Sequence, residues 1–422
     1  RLGDVMPSFL LDFALPRMVR HGALEVVTPD GSLRSYGAPG AKPQARIAVD
    51  KSVVGLRTLL HPSLAVGEAY TDGRLRIEEG TLTDFLDIAL LSRSIAAPSG
   101  RLGRLLDGLI SAYNYPKSLN LVVRAERNVR HHYDISHDLY ELFLDSDMQY
   151  SCAYFRDESD SLDQAQLNKK HHLAQKLLLE PGMRVLDIGS GWGGLAIHLA
   201  REYGVEVTGV TLSQDQYEVS NRRARAAGLS GQVEFKLLDY RLAKGPYDRI
   251  VSVGMFEHVG KPHYKTFFDH VYDLLKDDGV ALLHTITRIS PPAPINPWIR
   301  RYIFPGGYLP SLSELAPIIE RRGLILTDFE NWRLHYAKTL RHWSDRLAGR
   351  RAEVEEMLDE RFYRMWQFYL NACEAVFRHQ DLAVFQMQFA KKLDTVPLTR
   401  DYIYEIVPPR IGEAQPRRMA GE

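Results

Sequence analysis

The sequence predicts an α/β fold built on a doubly wound, mostly parallel sheet, with a smaller α+β domain at its N-terminal end. Between residues 170 and 290, apolar strands and amphipathic helices alternate along the chain, and this alternation is typical of parallel sheets with helices on both faces. A glycine-rich loop at 187–194 follows one apolar strand and precedes an apolar helix. The 422 residues exceed one ordinary domain, so we expect two.

The first domain is predicted at residues 1–115. Residues 24–36 alternate apolar and polar side chains around Pro29-Asp30-Gly31, which is a hairpin pattern. Short strand-like and helix-like segments continue to a glycine- and arginine-rich stretch near residue 108. No cluster of catalytic side chains is recognisable in this part, so we predict an accessory domain of α+β type.

The second domain is predicted at residues 116–422. Its expected elements are helix 171–179, strand 184–188, helix 195–203, strand 205–212, helix 214–227, strands 233–238 and 248–253, helix 263–275 and strand 279–286. Six prolines then interrupt residues 290–311, and a loop of that length inside a domain is typically a substrate-binding insertion. Residues 337–392 are rich in aromatic and basic side chains and are predicted to be helical.

The glycine loop indicates a nucleotide-type cofactor. Gly189, Gly191 and Gly194 also fit the dinucleotide fingerprint, which requires an acidic residue about 20 residues further on, at the end of the next strand. That strand ends in Thr211 instead. Asp187, two positions before the first glycine, gives a pattern that resembles the S-adenosylmethionine loop of class I methyltransferases. We therefore predict S-adenosylmethionine as the cofactor.

Composition excludes several classes of protein. The 53 basic and 53 acidic residues balance, so no global basic excess points to nucleic acid. Two cysteines, Cys152 and Cys373, form neither a disulfide framework nor a metal motif. No apolar stretch approaches the 18 residues that a membrane span requires. We expect a cytoplasmic protein without a bound metal.

Six strings occur together and in order between residues 149 and 340. They are QYSCAYF at 149–155, DIGSGWGG at 187–194, GVTLS at 209–213, SVGMFEHVG at 252–260, FPGGYLPS at 304–311 and HYAKTL at 335–340. Together they resemble the cyclopropane-fatty-acyl-phospholipid synthases, with fainter similarity in the N-terminal third. The resemblance implies a Rossmann-like class I methyltransferase fold.

The resemblance also implies a reaction. A methylene group from S-adenosylmethionine is added across the cis double bond of an unsaturated phospholipid acyl chain, and a bound bicarbonate is the general base. The residues that hold this anion carry over onto Cys152, Glu257, His284, Tyr336 and the backbone of Ile286. The cofactor set carries over onto Tyr150, Ser151, Asp187, Gly189, Gly191, Thr211 and Gln216, to which we add Asp239 and Tyr240 after the strand at 233–238.

The chemistry requires a dry site, because water quenches the positive charge that develops on the acyl chain. Aromatic faces stabilise such a charge. The candidates are Tyr133, Tyr140, Tyr150, Tyr154, Phe155, Tyr302 and Tyr308. Cys152 also permits a covalent-nucleophile interpretation, which we disfavour because a thiolate beside a sulfonium would itself be methylated.

Three alternatives remain open at this point. In the first, the enzyme stops after methyl addition and gives a branched or exomethylene chain; in the second, it methylates a small amine; in the third, the chain is a non-enzymatic lipid-binding protein. The preferred hypothesis is a cytoplasmic enzyme that associates peripherally with the inner face of the membrane, with unsaturated phospholipids as partners and a homodimer as a possible assembly. Residues 1–115 are then expected to help deliver acyl chains from the bilayer.

Overall fold

The computed structural model describes residues 19–53, 61–92 and 137–404, together with the single residues 15, 16 and 58. Two sheets organise these residues, one of four strands and one of seven. The predicted domain boundary at 115/116 and the candidate Tyr133 lie outside the described residues.

The N-terminal sheet is mixed. Its strands are β1 (Ala23–Val27), β2 (Leu33–Gly37), β3 (Gln44–Val49) and β4 (Leu75–Glu79), in the order β2-β1-β3-β4. β1 and β2 are antiparallel, and the Asp30 carboxylate accepts hydrogen bonds from Thr28 and Ser32 in the turn between them. The predicted hairpin is therefore confirmed. Two helices complete this part, α1 (Pro62–Thr71) and α2 (Leu82–Leu91).

The larger sheet confirms the predicted fold class. Its strands are β5 (Arg184–Ile188), β6 (Glu206–Thr211), β7 (Val233–Leu237), β8 (Tyr247–Val253), β9 (Leu275–Arg288), β10 (Ile325–Asn331) and β11 (Leu382–Ala390). The order is β10-β11-β9-β8-β5-β6-β7. The pairs among β5 to β9 are parallel, whereas β11 is antiparallel to both of its neighbours.

Ten α-helices accompany this sheet among the described residues. They are α3 (His137–Phe143), α4 (Leu162–Lys176), α5 (Gly194–Tyr203), α6 (Gln214–Ala226), α7 (Tyr264–Leu274), α8 (Pro297–Tyr302), α9 (Leu312–Arg322), α10 (His335–Gly349), α11 (Arg351–Met357) and α12 (Glu360–His379). Side-chain caps on Ser161, Ser213 and Asp359 accept from backbone N–H groups at the starts of α4, α6 and α12, where those groups have no helical partner.

The predicted helical region 337–392 is wrong in its last part. Helix α12 ends at His379, and residues 382–390 form β11. Residues 383–390 of this strand are all buried, so side chains on both faces of the sheet are covered, and periodicity alone does not distinguish such a strand from a buried helical segment. Its two glutamines are buried. Gln388 Nε2 donates to the Lys176 carbonyl and Gln386 Nε2 contacts His284 Nδ1, while Gln386 Oε1 has no hydrogen-bond partner among the described residues.

The two parts share one hydrophobic core. Helix α12 packs against α1 and α2, and the core joins Phe85 and Tyr70 of the N-terminal part to Trp366 and Phe368 of α12. Trp298 of α8 is also buried here and lies against Gly67 of α1, where an added Cβ would be 2.5 Å from the indole ring. The 290–311 insertion is thus held from one side by the N-terminal part.

Candidate active site

The first cavity opens at the carboxyl ends of β5, β6, β7 and β8, where open α/β sheets bind ligands. The nine residues predicted for the cofactor all line it: Tyr150, Ser151, Asp187, Gly189, Gly191, Thr211, Gln216, Asp239 and Tyr240. Met255, Trp192 and Arg241 line it as well and were not predicted. The fold therefore brings together residues that lie up to 90 positions apart in the sequence.

Asp187 is the buried acid of this cavity. Burial raises the pKa of its carboxyl to about 7, an effect that the positive charge of Lys169 opposes. Its Oδ2 has no hydrogen-bond partner among the described residues. A buried carboxylate oxygen without a donor is costly, and a ligand ammonium or hydroxyl would supply one. This orphaned atom fits S-adenosylmethionine.

Gly191 leaves room for a ligand. Its φ of +54° lies in the left-handed region, and a Cβ built there meets no protein atom within 4 Å. Since Gly191 lines the cavity, a side chain at this position would extend into the cofactor's space. The backbone of the loop can thus approach a ligand closely.

Two predicted contacts take an unexpected form. The Thr211 hydroxyl donates to Gln216 Oε1 at 2.8 Å and accepts from the N–H of Ser213, so Thr211 orients the Gln216 amide. The Asp239 carboxylate accepts from Arg241 Nε at 2.8 Å, and this pairing contributes to lowering the pKa of Asp239 although burial opposes it. Asp239 lines the cavity with its charge already paired.

The second cavity adjoins the first and contains the five predicted catalytic residues. Cys152, Glu257, His284, Ile286 and Tyr336 all line it. The remaining wall is largely apolar, and its carbon-rich side chains are Ile295, Ile299, Phe304, Leu309, Ala372, Val376, Phe377, Leu382 and Val384. A polar group of buried side chains therefore lies at one part of an apolar chamber.

The Glu257 carboxylate is held by a backbone N–H at the end of the sheet. Strand β8 ends at Val253 while β9 continues to Arg288, which leaves the Ile286 N–H without a partner strand on that side. Glu257 Oε1 accepts this N–H at 2.6 Å. Burial raises the pKa of Glu257 to about 7, and its Oε2 has no hydrogen-bond partner among the described residues. The Ile286 N–H is thus engaged by Glu257, and the proposed role of Ile286 in anion binding stays a prediction.

His284 and Cys152 are electrically neutral. The Gln386 amide contacts His284 Nδ1 at 3.0 Å, and burial lowers the pKa of His284 well below its usual value. Burial raises the pKa of the Cys152 thiol, so it is not the thiolate that a covalent nucleophile requires. Tyr336 of α10 packs against Phe377 and Trp343.

Four residues line both cavities: Tyr150, Ser151, Gly254 and His258. Burial lowers the pKa of His258 to about 4, so this shared wall carries no imidazolium. The two cavities thus adjoin along a shared wall, and group transfer requires that reactants bound in them lie close together.

The aromatic prediction is mostly wrong. Of its six described members, only Tyr150 lines the second cavity. Tyr154 stacks on His172 and Phe155 on His342, while the Tyr302 and Tyr308 hydroxyls donate to Glu68 and Glu314, and Tyr140 packs against Trp192. Phe304 and Phe377 supply aromatic wall instead. Sequence position near a motif did not determine which side of the backbone each ring occupies.

The comparisons with known proteins agree with these two cavities. The family model for mycolic acid cyclopropane synthetase matches residues 122–387, well over half of the chain. The chain belongs to this synthetase family. It is an S-adenosylmethionine-dependent methyltransferase, and its seven-stranded sheet has the class I methyltransferase architecture.

Relatives of the synthetase family cover most of the chain. The cyclopropane-fatty-acyl-phospholipid synthase of Escherichia coli (strain K12) is 40% identical over 339 residues, which are 80% of this chain and 86% of the relative. Tuberculostearic acid methyltransferase UfaA1 of Mycobacterium tuberculosis is 34% identical over 385 residues, 88% of each chain. Both alignments extend beyond the region that the family model matches.

Solved structures agree in fold. The cyclopropane synthase MmaA2 from Mycobacterium tuberculosis has a TM-score of 0.61 at 34% identity, covering 63% of this chain and 98% of that one. The mycolic acid cyclopropane synthase CmaA1 complexed with SAH and CTAB has a TM-score of 0.60 at 35% identity, covering 63% and 97%. Coclaurine N-methyltransferase reaches a TM-score of 0.64 with 20% identity, a likeness of fold alone.

Proposed function

We propose that this enzyme transfers a methylene group from S-adenosylmethionine to the cis double bond of an unsaturated acyl chain in a membrane phospholipid and closes a cyclopropane ring. The observation that carries the proposal is the apolar second cavity, which meets the cofactor cavity at Tyr150, Ser151, Gly254 and His258. S-adenosylmethionine supplies an electrophilic methyl group on a sulfonium.

The chain's own residues prepare the acyl side of the reaction. Apolar walls such as Phe304 and Phe377 exclude water from the chain, and each methylene buried there gains about 0.8 kcal/mol relative to water. The same walls leave no water to quench the positive charge that develops on the chain. Tyr150 contributes an aromatic face close to the cofactor cavity.

Bicarbonate is the proposed general base. The fit rests on Glu257, whose buried Oε2 has no donor among the described residues and whose pKa of about 7 leaves it part-protonated near neutral pH. A part-protonated carboxyl both donates to and accepts from an oxyanion that itself bears a proton. Neutral His284, the Cys152 thiol and the Tyr336 phenol surround the same space, and they would orient the base without neutralising it.

A bilayer surface is the proposed site of action. Ile289 and Leu312 are 54% and 38% exposed, and they lie next to Arg288 and Ser311, which form a backbone bridge. Arg288 also lines the second cavity, so exposed apolar side chains lie next to a residue of its wall. No helix among the described residues has the length and apolarity to cross a membrane. We propose peripheral association with the inner, cytoplasmic leaflet, and the homodimer remains a prediction.

The test is a product analysis. Purified enzyme is incubated with S-adenosylmethionine and vesicles of an unsaturated phospholipid, and the acyl chains are released and analysed by gas chromatography with mass spectrometry. A chain heavier by one methylene that carries a ring supports the proposal. Gly191→Val, which would fill the cofactor's space, is the matched inactive control. Unchanged acyl chains with the parent protein, under conditions where it binds S-adenosylmethionine, would overturn the proposal.

A second candidate is methyl addition without ring closure. It is favoured by one observation, the relative named tuberculostearic acid methyltransferase, which covers 88% of this chain. Loss of a proton without ring closure leaves an exomethylene chain, which has the mass of the cyclopropane but reacts as an alkene, so the same experiment separates the two. A saturated methyl branch is two hydrogens heavier and requires a hydride donor, so a parallel incubation contains a reduced nicotinamide.

A further inference from the structure

Lys169 is a fully buried lysine beside both cavities that sequence analysis did not single out. It lies on α4, and its Nζ donates to Ser151 Oγ at 2.7 Å. Among the described residues, no carboxylate oxygen lies within 4.0 Å of this ammonium, whereas the equally buried Lys176 on the same helix contacts Asp328 and Glu330. A buried charge without a close counter-charge costs folding free energy, so its presence requires another explanation.

The charges around Lys169 are mixed. Asp145, Asp147 and Lys170 act on its ammonium from the adjoining segment and helix, and its own charge acts on Asp187, Cys152 and His284. Burial lowers the pKa of Lys169 to about 8, while Asp145 opposes that effect. The group is therefore mainly protonated at neutral pH.

Ser151 connects this charge to the reacting atoms. Its oxygen accepts the hydrogen bond from Lys169, so its own O–H proton must be directed elsewhere. No hydrogen bond from that hydroxyl to an acceptor is found among the described residues. Ser151 is 8% exposed and lines both cavities. The unused O–H donor of Ser151 and its position on the wall that the two cavities share together indicate that it donates a hydrogen bond to a bound ligand.

We propose that Lys169 is a positioning residue whose ammonium polarises the Ser151 hydroxyl, so that this hydroxyl donates to an oxyanion where the two cavities meet. The inference rests on the proposed function for its ligands, which are the carboxylate of S-adenosylmethionine or the bicarbonate base. Both present the same acceptor chemistry to the hydroxyl. A hydrogen bond strengthened by a neighbouring positive charge is worth about tenfold to hundredfold in affinity.

The experiment compares Lys169→Met, Ser151→Ala and the double variant with the parent, in the full chain. Lys170→Met is the matched control, because it removes the neighbouring ammonium while Asp147 keeps its pairing with Arg223. Each variant is first checked by thermal melting. Lys169→Met is expected to melt at or above the parent temperature, since an apolar isostere replaces a charge that lacks a close partner.

Two measurements then distinguish the ligands. Calorimetry gives the Kd for S-adenosylmethionine without any lipid, and turnover against added bicarbonate gives the concentration for half-maximal rate. One of the two values is expected to rise about tenfold to hundredfold in both single variants. The double variant is expected to match them rather than multiply their effects, because the two residues act as one unit.

A Lys169→Met protein that folds and leaves both values unchanged would overturn the inference, as would multiplicative effects in the double variant. If Lys169→Met fails to fold, the test rests on Ser151→Ala alone. Unchanged values of the Kd for S-adenosylmethionine and of the half-maximal bicarbonate concentration in that variant would overturn the inference. A parent enzyme that forms no cyclopropane would refute the proposed function instead, since the calorimetric measurement needs no product.

Discussion

Replacing Gly67 by alanine tests whether the N-terminal part shapes the acyl cavity. The new Cβ would lie 2.5 Å from Trp298 Cδ1 and 2.8 Å from its Cγ, and the rigid, buried indole is held by Phe368 at a centroid distance of 4.8 Å. Overpacking of this kind costs about 1–3 kcal/mol, whereas alanine in a helix gains about 1 kcal/mol over glycine. We therefore expect a net loss of up to about 2 kcal/mol or a displacement of α8.

The displacement would reach the substrate, because Ile299 on α8 and Phe304 just after it line the second cavity. A shift of about 1 Å in such a wall costs up to about a hundredfold in rate. We expect Gly67→Ala to lower methylene transfer on phospholipid and to leave the calorimetric Kd for S-adenosylmethionine unchanged. Gly349→Ala is the control, since that helical glycine has no neighbour within 4 Å of an added Cβ. Parent-like turnover and melting in Gly67→Ala would refute the reasoning.

Four further predictions concern the two cavities and the N-terminal part. Gly191→Val should abolish S-adenosylmethionine binding in calorimetry, because the branched side chain enters the ligand space and strains a φ of +54°. Retained affinity would show that the loop at 187–194 does not bind the cofactor. Glu257→Gln and Tyr336→Phe should lower turnover far more than cofactor affinity. Because burial raises the pKa of Glu257 from 4.5 to about 7, ionising it costs the folded state about 3 kcal/mol above pH 7, a cost that is absent below about pH 4.5. Glu257→Gln should therefore raise the Tm at pH 8, and a lower Tm there would contradict this sign. A chain beginning at Lys117, checked first for a cooperative melt, should still bind S-adenosylmethionine but lose activity on vesicles, whereas loss of folding would show that the N-terminal part supports the shared core. Equal loss on detergent-dispersed lipid would favour shaping of the cavity by the N-terminal part over delivery of acyl chains.

The glycine loop of the cofactor site could be predicted from the residues because its signals are local, whereas Tyr150, Ser151, Thr211 and Gln216 came from the resemblance. The loop at 187–194 shows the strand, the acid and the glycines in one stretch, and the ends of parallel strands meet at one edge of the sheet. The catalytic set of Cys152, Glu257, His284 and Tyr336 came from resemblance, since those residues lie far apart in the chain. The structure places all four on one cavity wall.

What could not be predicted depends on three-dimensional neighbours. Lys169 is one of two adjacent lysines in a polar helix, a pattern that usually indicates a solvated face. Only the fold shows that both are buried and that Lys170 pairs with Asp147. The direction of Tyr154 and Phe155 depends on His172 and His342, which pack from other elements. Strand β11 was missed because its side chains are buried on both faces of the sheet, so periodicity did not separate it from the helix before it.

The insertion of β11 between β9 and β10 has a consequence for synthesis of the chain on the ribosome. The lining of the cofactor cavity is complete by Val259, so a nascent chain of that length already carries every residue of this pocket. Strand β10 has only β11 as a partner, and β11 is made about 50 residues later. The edge of β9 stays open during that interval, and such edges promote mispairing. All residues of the first cavity are therefore synthesised before the lining of the second cavity, which extends to Val384, is complete.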